Sequence, residues 1–313
     1  MIYVEISGRM GNQMFSYAMA RSLQRQIPRQ QDSPIAFDFS RFQRNRNDVG
    51  WENALVNYKC STNIVEDNRK MSIIQRLLLK AYFSQKNRKG VIDTNRNELD
   101  RFERKWRDFL VYFGIYLCSF NYHEFKIKPM AKNILIMGWY ESPKYFDGID
   151  DVLKKEFKPI DMSFNNDIMN MIDDIENCES VCVGIRRGDF QDQNNREYCF
   201  VCDESYYEKA IKKMENIVKS AKFYFFTDDP DWVKEQLNLP SDSVVVGDNL
   251  TKYDNKLYIM SLCKHFIISN SSYVWWSQHL SENPNKKVIA PDRWRNYDYN
   301  LNTDIYEDNW III

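Results

Sequence analysis

The stretch VCVGIRRGDF, residues Val181–Phe190, decides how the second half of the chain is interpreted. Residues that can form a buried strand run directly into two arginines, a glycine and an aspartate. Guanidinium groups keep their charge and present planar pairs of donors, so two of them at the carboxyl end of a strand suit a bound diphosphate. Gly188 allows a sharp turn or a close approach to a ligand, and Asp189 adds a carboxylate within reach of a sugar hydroxyl. A solvated charged turn explains RRGD equally well, so the rest of the chain must decide.

Composition predicts a globular protein of two domains. The chain has 313 residues, of which 43% are hydrophobic and 15% aromatic, which is enough for substantial cores. Its formal net charge of -1 argues against nucleic-acid binding through a global positive field.

The cellular setting is also expected from composition. An odd number of cysteines does not indicate a disulfide framework, which favours a reduced, cytoplasmic location. The chain opens on a strand rather than on a signal sequence. Its most apolar stretch, 109–120, is well short of the roughly 20 residues that a spanning helix needs. We therefore expect no transmembrane segment.

Strand and helix patterns alternate along the chain. In the first half the periodicity predicts strands at 2–7, 35–39 and 134–140 and helices at 11–26, 72–83 and 147–157. In the second half it predicts strands at 181–187, 222–228, 243–247, 265–269 and 287–291 and helices at 204–220, from 230, at 253–263 and at 273–280. Such alternation predicts parallel sheets with right-handed crossovers. We expect domains at 1–157 and 158–313, with a variable helical region at about 41–132.

Three polar turns follow strands of the second half: RRGD at 186–189, TDD at 227–229 and SNSS at 269–272. Ligands of open parallel sheets bind outside the carboxyl ends of the strands, so three such turns on one edge predict a binding site. A fourth turn, GRMGNQ at 8–13, lacks the spacing of a dinucleotide-binding loop. It is either a tight turn before a helix or a turn that contacts a ligand.

Other chemistry-bearing residues are better explained as structural. Cys199 and Cys202 form a C-x-x-C pair, but a structural zinc needs further ligands and the three histidines are not at ligand spacing, so no metal site is expected. The basic, aromatic stretch 76–107 could touch anionic lipid or an acidic partner, although its interspersed acids favour a solvated helical surface.

Several segments, taken together and in order, resemble the bacterial α-1,2-fucosyltransferases of glycosyltransferase family eleven. They are GRMGNQMFSYAMARSL (8–23), GWYESPKYF (138–146), GIRRGDF (184–190), SYYEKAI (205–211), FYFFTDDPDWV (223–233) and SNSSYVWWSQHL (269–280). The similarity spans residues 1 to about 290 and is weakest over 41–132. It implies the GT-B architecture, an α/β fold of two Rossmann-like lobes with a cleft between them. The first lobe would be the acceptor side and the second would bind GDP-fucose.

The resemblance also implies an activity. An inverting galactoside α-1,2-fucosyltransferase would move L-fucose from GDP-fucose to the 2-hydroxyl of a galactose-containing glycan, in the synthesis of surface polysaccharide or lipopolysaccharide. Such an enzyme would work in the cytoplasm, at the inner face of the membrane and in peripheral contact with it. Arginines would neutralise the leaving diphosphate in place of a divalent cation, so no metal or other cofactor is expected. The alternatives are a fucosyltransferase of another linkage and a GDP-sugar or glycan-binding protein without turnover.

The resemblance assigns catalytic roles to three residues. Arg186 matches the arginine that grips the donor phosphates, and Asp189 would bond hydroxyls and is the first choice for the general base. Asn12, from the first lobe, would face the fucose and the acceptor. One position departs from the family pattern, since Gly184 stands where a histidine is usual. That change would remove one hydrogen bond near the donor and leave the arginine clamp.

The resemblance assigns donor binding to a second set of residues. Arg187 would be a second clamp or a brace for the loop, and Asp228 and Asp229 would recognise guanine or ribose. Three further residues, Asn270, Ser271 and Ser272, would lie at the start of a helix. Their hydroxyl and amide groups would favour binding of the donor phosphates there.

Overall fold

The computed structural model describes residues 1–40, 52–92, 95–126, 129–192, 199–247, 253–296 and 304–313. The chain divides into two compact units, Met1–Phe157 and Lys158–Ile313. These are the bounds expected from the sequence, whereas the roles assigned to the two halves remain predictions. Among the helices in the described ranges, none is long and apolar enough to cross a membrane.

The first unit is built on a parallel sheet. Its strands are β1 (Ile2–Glu5), β2 (Ile35–Asp38), β3 (Ile64–Glu66), β4 (Ile115–Cys118) and β5 (Ile134–Gly138), in the spatial order β3-β2-β1-β5-β4. Its helices are α1 (Met10–Gln26), α2 (Ile73–Arg88), α3 (Arg96–Arg104), α4 (Arg107–Tyr112) and α5 (Asp150–Glu156). β1 lies in the middle of this sheet and pairs in parallel with β2 on one side and β5 on the other, so the turns after β1 and β5 lie side by side at the carboxyl edge.

The expectation of a helical region over about 41–132 was wrong in part, because the region also supplies both edge strands of the sheet. β4 lies inside the apolar run 109–120, where α4 ends and Gly114 takes a φ of +77°. A glycine adopts that left-handed conformation without strain, so the chain can turn from helix to strand within one uninterrupted apolar run. β3 is short and largely exposed, and it carries no apolar alternation that a pattern could detect.

The second unit has a parallel sheet with the strand order of the Rossmann fold. Its strands are β6 (Glu179–Ile185), β7 (Ala221–Thr227), β8 (Val244–Val246), β9 (His265–Ile268), β10 (Val288–Ala290) and β11 (Ile311–Ile312), ordered β11-β10-β9-β6-β7-β8. Counted within the unit, that order is 3-2-1-4-5-6 from the β8 edge. The helices are α6 (Asn166–Asn177), α7 (Glu204–Ile217), α8 (Pro230–Gln236), α9 (Tyr253–Leu262) and α10 (Ser272–Leu280). The expected α/β class with Rossmann-like halves is confirmed.

The topology of the second unit fixes where a ligand can bind. The chain leaves β6 toward β7 on one side and later returns to β9 on the other, so the strand order reverses between β6 and β9. Reversal leaves a crevice outside the carboxyl ends of those two strands. The turns RRGD and SNSS are the segments that follow them.

Candidate active site

Arg186 lies between two carboxylates at the carboxyl end of β6. Its Nη2 donates to Asp189 Oδ1 at 2.6 Å, and its Nη1 lies 2.8 Å from Asp228 Oδ2. The guanidinium is therefore held in one orientation while about a fifth of its side chain stays exposed (19%). A planar cation fixed in this way at a sheet's switch point is suited to meeting an anionic group.

Arg187 is bound on several sides. Its guanidinium stacks on the ring of Trp232 with the central carbon 3.7 Å from the ring centroid, and its Nε lies 3.4 Å from Asp229 Oδ2. Its backbone N–H donates to Asp228 Oδ1 at 2.9 Å. Such contacts describe a brace that ties the RRGD loop to the start of α8, whereas the second role left open by the sequence, a donor clamp, stays a prediction.

Asp228 keeps part of its bonding capacity. Its Oδ2 is buried and makes no aligned hydrogen bond within the described chain, so the short contact with Arg186 is an ion pair only. Gly188 is what permits this arrangement, since a Cβ there would lie 2.9 Å from the same oxygen. An acceptor that is held by charge and still lacks a donor is a reasonable partner for a ligand hydroxyl or N–H.

Asp229 serves the fold directly. Its side chain accepts from the N–H of Trp232 at 3.3 Å and so caps α8, which begins with Pro230. Together with Asp189 and Asp228 it surrounds the two guanidiniums with carboxylates. Three carboxylates therefore surround two guanidiniums before any ligand binds, and the positive site expected from RRGD alone is in fact an ion-pair network.

The turn after β9 combines a brace with an open helix start. The Asn270 amide donates to the carbonyls of Phe200 and Trp294, both at 2.8 Å, and is thereby committed to holding neighbouring loops. Ser271 occupies the N-cap position of α10, but its side chain makes no capping hydrogen bond. Because Ser272 begins the helix, the N–H groups of its first turn lie at this edge of the sheet, where they favour an anion.

Gly184 is required by packing. A Cβ at this position would lie 2.2 Å from Cγ1 and 2.9 Å from Cγ2 of Val274 on α10. No L side chain fits there without displacing that buried valine, so β6 and the first turn of α10 approach each other closely because residue 184 is a glycine. The glycine that stands in place of the usual histidine is thus accompanied by Val274, whose side chain occupies the space next to residue 184.

Two residues at this edge of the sheet were not predicted from the sequence. Lys256 of α9 is almost fully buried, and its ammonium donates to the carbonyl of Thr227 at 2.9 Å, where β7 ends. The adjacent Asn255 has a buried Oδ1 without a hydrogen-bond partner in the part of the chain that the structure describes. The available signal was a lysine within the apolar run KLYIM, and only the tertiary contact shows that it points to the end of a strand.

The C-x-x-C pair has a structural place. The Cys199 carbonyl accepts from Asn296 at 3.1 Å, and the Cys202 thiol lies buried 3.8 Å from Asn270 Oδ1. Burial raises the pKa of the Cys202 thiol to about 12, which keeps it protonated. Over the described ranges no group of His, Cys, Asp and Glu is arranged to hold a metal ion.

Asn12 belongs to the first unit, where it lies in the first turn of α1, the helix that follows β1. Gly8 has a φ of +79°, and a Cβ there would lie 2.1 Å from Asn12 Nδ2, so the amide folds back over the glycine. Asn12 Oδ1 is buried and has no hydrogen-bond partner among the described residues. Gln13 instead holds the chain at 52–54 through bonds to Glu52 and Ala54. The structure thus brings Arg186, Asp189 and Asp228 together in one unit and places Asn12 at the corresponding edge of the other.

Comparison with known proteins relates the whole chain to glycosyltransferases. An Escherichia coli O-antigen biosynthesis glycosyltransferase, WbnK, is 25% identical and is aligned over 99% of each chain. An Escherichia coli α-1,2-colitosyltransferase is 25% identical over 100% of this chain and 98% of its own. A Caenorhabditis elegans galactoside 2-α-L-fucosyltransferase is 27% identical over 53% of this chain and 48% of its own.

Two solved structures show a weaker likeness. A glycosyltransferase of family 9 from Veillonella parvula matches with a TM-score of 0.43 and 10% identity, over 100% of this chain and 85% of its own. A mutant of Arabidopsis thaliana FUT1 in complex with GDP matches with a TM-score of 0.43 and 11% identity, over 92% and 69%.

The decisive match is to a family rather than to a single protein. Residues 1–313 match the family described as Glycosyl transferase family 11, which covers every segment that carried the resemblance seen in the sequence. Relatives with α-1,2 colitosyl- and fucosyltransferase names agree with it. The chain belongs to glycosyltransferase family 11.

Proposed function

We propose that the chain is an inverting α-1,2-fucosyltransferase that uses GDP-fucose and a galactose-containing glycan and needs no metal. The observation that carries the proposal is Arg186, a cation fixed by Asp189 and Asp228 at the switch point of a Rossmann-type sheet. Opposite it, across the same reversal of strand order, the first turn of α10 follows β9. Guanidinium and helix start would share the diphosphate, with the nucleoside toward the end of β7.

Donor binding would rearrange the ion pairs of the loop. The guanidinium of Arg186 forms ion pairs with Asp189 and Asp228, so a phosphate oxygen would replace one of these carboxylates as its partner. The displaced carboxylate becomes available to a hydroxyl of the donor or the acceptor. Asp228 Oδ2 already lacks a hydrogen bond among the described residues, which favours Asp228 for the ribose or guanine and Asp189 for the sugar side.

The reaction would be a displacement at the fucose anomeric carbon. The acceptor's 2-hydroxyl oxygen bonds to that carbon on one face, and the bond to the diphosphate oxygen breaks on the other. Negative charge grows on the leaving GDP, and Arg186 with the α10 helix start would stabilise it more in the transition state than in the ground state. Asp189 is our candidate to take the hydroxyl proton, and loss of the proton to water is the alternative route.

The relatives make the donor sugar the first alternative to test. One of them is named for colitose, the 3-deoxy analogue of fucose, so the two donors differ by a single hydroxyl. The binding-protein alternative had one support in the sequence, Gly184. Packing against Val274 gives that glycine a structural reason, and the turnover assay below distinguishes the enzyme from the binding protein.

The experiment is acceptor-dependent release of GDP in the presence of EDTA, with GDP-fucose and GDP-colitose as donors and lactose as acceptor. We expect release with GDP-fucose, a product whose NMR spectrum shows an α-1,2 linkage, and loss of at least a hundredfold in Arg186→Ala. Lys212→Ala on the exposed face of α7 is the matched control and should behave as the wild type. Faster turnover of GDP-colitose than of GDP-fucose would show that colitose is the donor sugar. Binding of both donors without release of GDP would favour a binding protein over an enzyme.

A further inference from the structure

Helix α2 carries apolar side chains on both of its sides. The inward side packs Leu79 and Tyr82 into the core of the first unit. The outward side exposes Ile73, Ile74 and Leu77, with 76%, 53% and 61% of each residue accessible to solvent. Three large aliphatic side chains together on the solvent side of one helix exceed what a single scattered surface residue would explain, and they indicate a contact surface.

The same segment is strongly basic. Between Asp67 and Asp93 the sequence holds seven lysines and arginines and no acid, in a chain whose formal net charge is -1. Arg69 and Lys70 pair with acids of the same unit, and the other cations lie on α2 or directly after it. Arg76 and Lys80 are exposed beside the apolar strip, so hydrophobic and positively charged groups face the solvent together.

A groove extends the apolar strip beyond the helix. It has a volume of about 590 Å³ and lies between Ile74 of α2, Tyr112 of α4 and Met130, with Lys70 and Lys132 at its rim. Both Tyr112 and Met130 are exposed. A surface with exposed aromatic and thioether side chains and with lysines at its edge is typical of proteins that lie in the headgroup region of a bilayer.

The groove is held in shape by the surrounding structure. The Arg29 guanidinium donates to the carbonyls of Pro129, Met130 and Ala131, which fixes the loop that forms one wall. On the other wall Ser72 and Gln75 form a capping box at the start of α2. The surface is therefore ready for a partner without further folding.

We propose that α2 and the loop 129–133 dock the first unit onto a lipid bilayer with anionic headgroups. Charge complementarity favours this partner. The cations would be attracted to negative lipid headgroups, and the exposed apolar side chains beside them would be buried at the boundary of the acyl chains. A second copy of this chain is disfavoured, since a two-fold interface would place the basic strip of one copy against that of the other. The inference does not depend on the donor sugar or on the proposed reaction.

The position of the surface is compatible with activity at the membrane. Gln75 donates to the carbonyls of Phe113 and Asn133, which lie directly before β4 and β5, so this surface lies toward the amino-terminal edge of the sheet. Asn12 lies at the other, carboxyl edge of the same sheet, in the first turn of the helix that follows β1. Docking would therefore hold the unit on lipid through the edge of the sheet that lies opposite to its candidate site residue.

Sedimentation with vesicles tests the proposal. The full chain is mixed with vesicles of phosphatidylcholine plus phosphatidylglycerol, and with vesicles of phosphatidylcholine alone. We expect binding to the anionic vesicles that weakens with added salt. Each cation near an anionic surface adds about fivefold to partitioning, so Arg76→Gln with Lys80→Gln should reduce binding roughly 25-fold. Ile74→Ser with Leu77→Ser should also reduce it, by about tenfold or more.

Matched controls separate docking from general charge and from folding. Lys212→Gln with Lys213→Gln removes two exposed cations of the second unit, and Met169→Ser removes an exposed apolar side chain there. Both controls should bind as the wild type does, and the thermal midpoints of all variants should stay within about 2 °C of the wild type because the replaced side chains face solvent. Absence of vesicle binding, equal binding by the α2 variants, or a dimer in solution that the α2 substitutions dissociate would each overturn the proposal.

Discussion

Replacing Gly184 with alanine tests whether the departure from the family's histidine is a matter of packing. The new Cβ would lie 2.2 Å from Val274 Cγ1, far inside the 3.4–4 Å of ordinary contact. β6 cannot retreat easily, because its backbone pairs with β7 on one side and with β9 on the other. Overpacking a close-packed site costs about 1–3 kcal/mol, and the fixed strand places this case toward the upper end. We expect Gly184→Ala to lower the thermal midpoint by roughly 5 °C.

A double-mutant cycle with Val274→Ala isolates the contact. The valine substitution alone leaves a cavity and should cost about 2 kcal/mol. In the double variant the new methyl group occupies part of that cavity, so the combined loss should fall short of the sum by about 1–2 kcal/mol. Urea unfolding followed by circular dichroism measures all four free energies of unfolding. Additive losses, or an unchanged midpoint in Gly184→Ala, would refute the packing account, as would a gain of turnover in Gly184→His.

Three further predictions concern single side chains. Asp228→Asn keeps an acceptor but removes the charge opposite Arg186, so GDP release should slow about tenfold while the chain stays folded on circular dichroism. Burial acts to raise the pKa of Asp100, but ion pairing with Arg107 outweighs it and the pKa is lowered; its stabilisation is therefore complete above about pH 4 and is lost as pH falls through the lowered value. Asp100→Asn should accordingly flatten the acid limb of the thermal midpoint plotted against pH. Mass spectrometry after iodoacetamide treatment of the folded chain should find Cys202 unlabelled, since its thiol is buried and its pKa is raised to about 12.

The strands and helices around the site were predictable because their patterns are strong. β6 is buried along nearly all of its length, as expected for a strand covered on both faces, and its last five residues, VCVGI, form an uninterrupted apolar run directly before two arginines. The edge strands β3 and β4 were missed for opposite reasons. β3 has too few apolar residues to show a period, and β4 adjoins α4 within one apolar run that contains no charge.

The sequence identified Arg186, Asp189 and Asp228 as candidates, but it could not predict which of these side chains form ion pairs with each other. The register of β6 and β7 pairs Ile185 with Thr227, which places Arg186 beside Asp228 although 41 residues separate them. The residue types of the two turns therefore indicate which side chains can form ion pairs, and only the strand register shows which arginine lies beside which aspartate. The same holds for Lys256, whose bond to a strand-end carbonyl depends on how α9 packs.

The pairing also changes how the loop should be understood. Two adjacent arginines suggest an excess of positive charge, yet Asp189, Asp228 and Asp229 lie within ion-pair distance of them. A carboxylate holds each guanidinium in a defined plane, and such preorganisation reduces the ordering that a donor would otherwise require. The strength of the site would then come from orientation as much as from charge.

The most direct test of the account is calorimetric titration of the chain with GDP in the presence of EDTA. We expect GDP to bind without a metal ion and Arg186→Ala to weaken the affinity by roughly tenfold to a hundredfold, the effect of losing a charged hydrogen-bond donor. The exposed-lysine control Lys212→Ala should bind GDP as the wild type does. Binding that EDTA abolishes, or binding that is equally tight in Arg186→Ala, would contradict the claim that this arginine holds the nucleotide diphosphate.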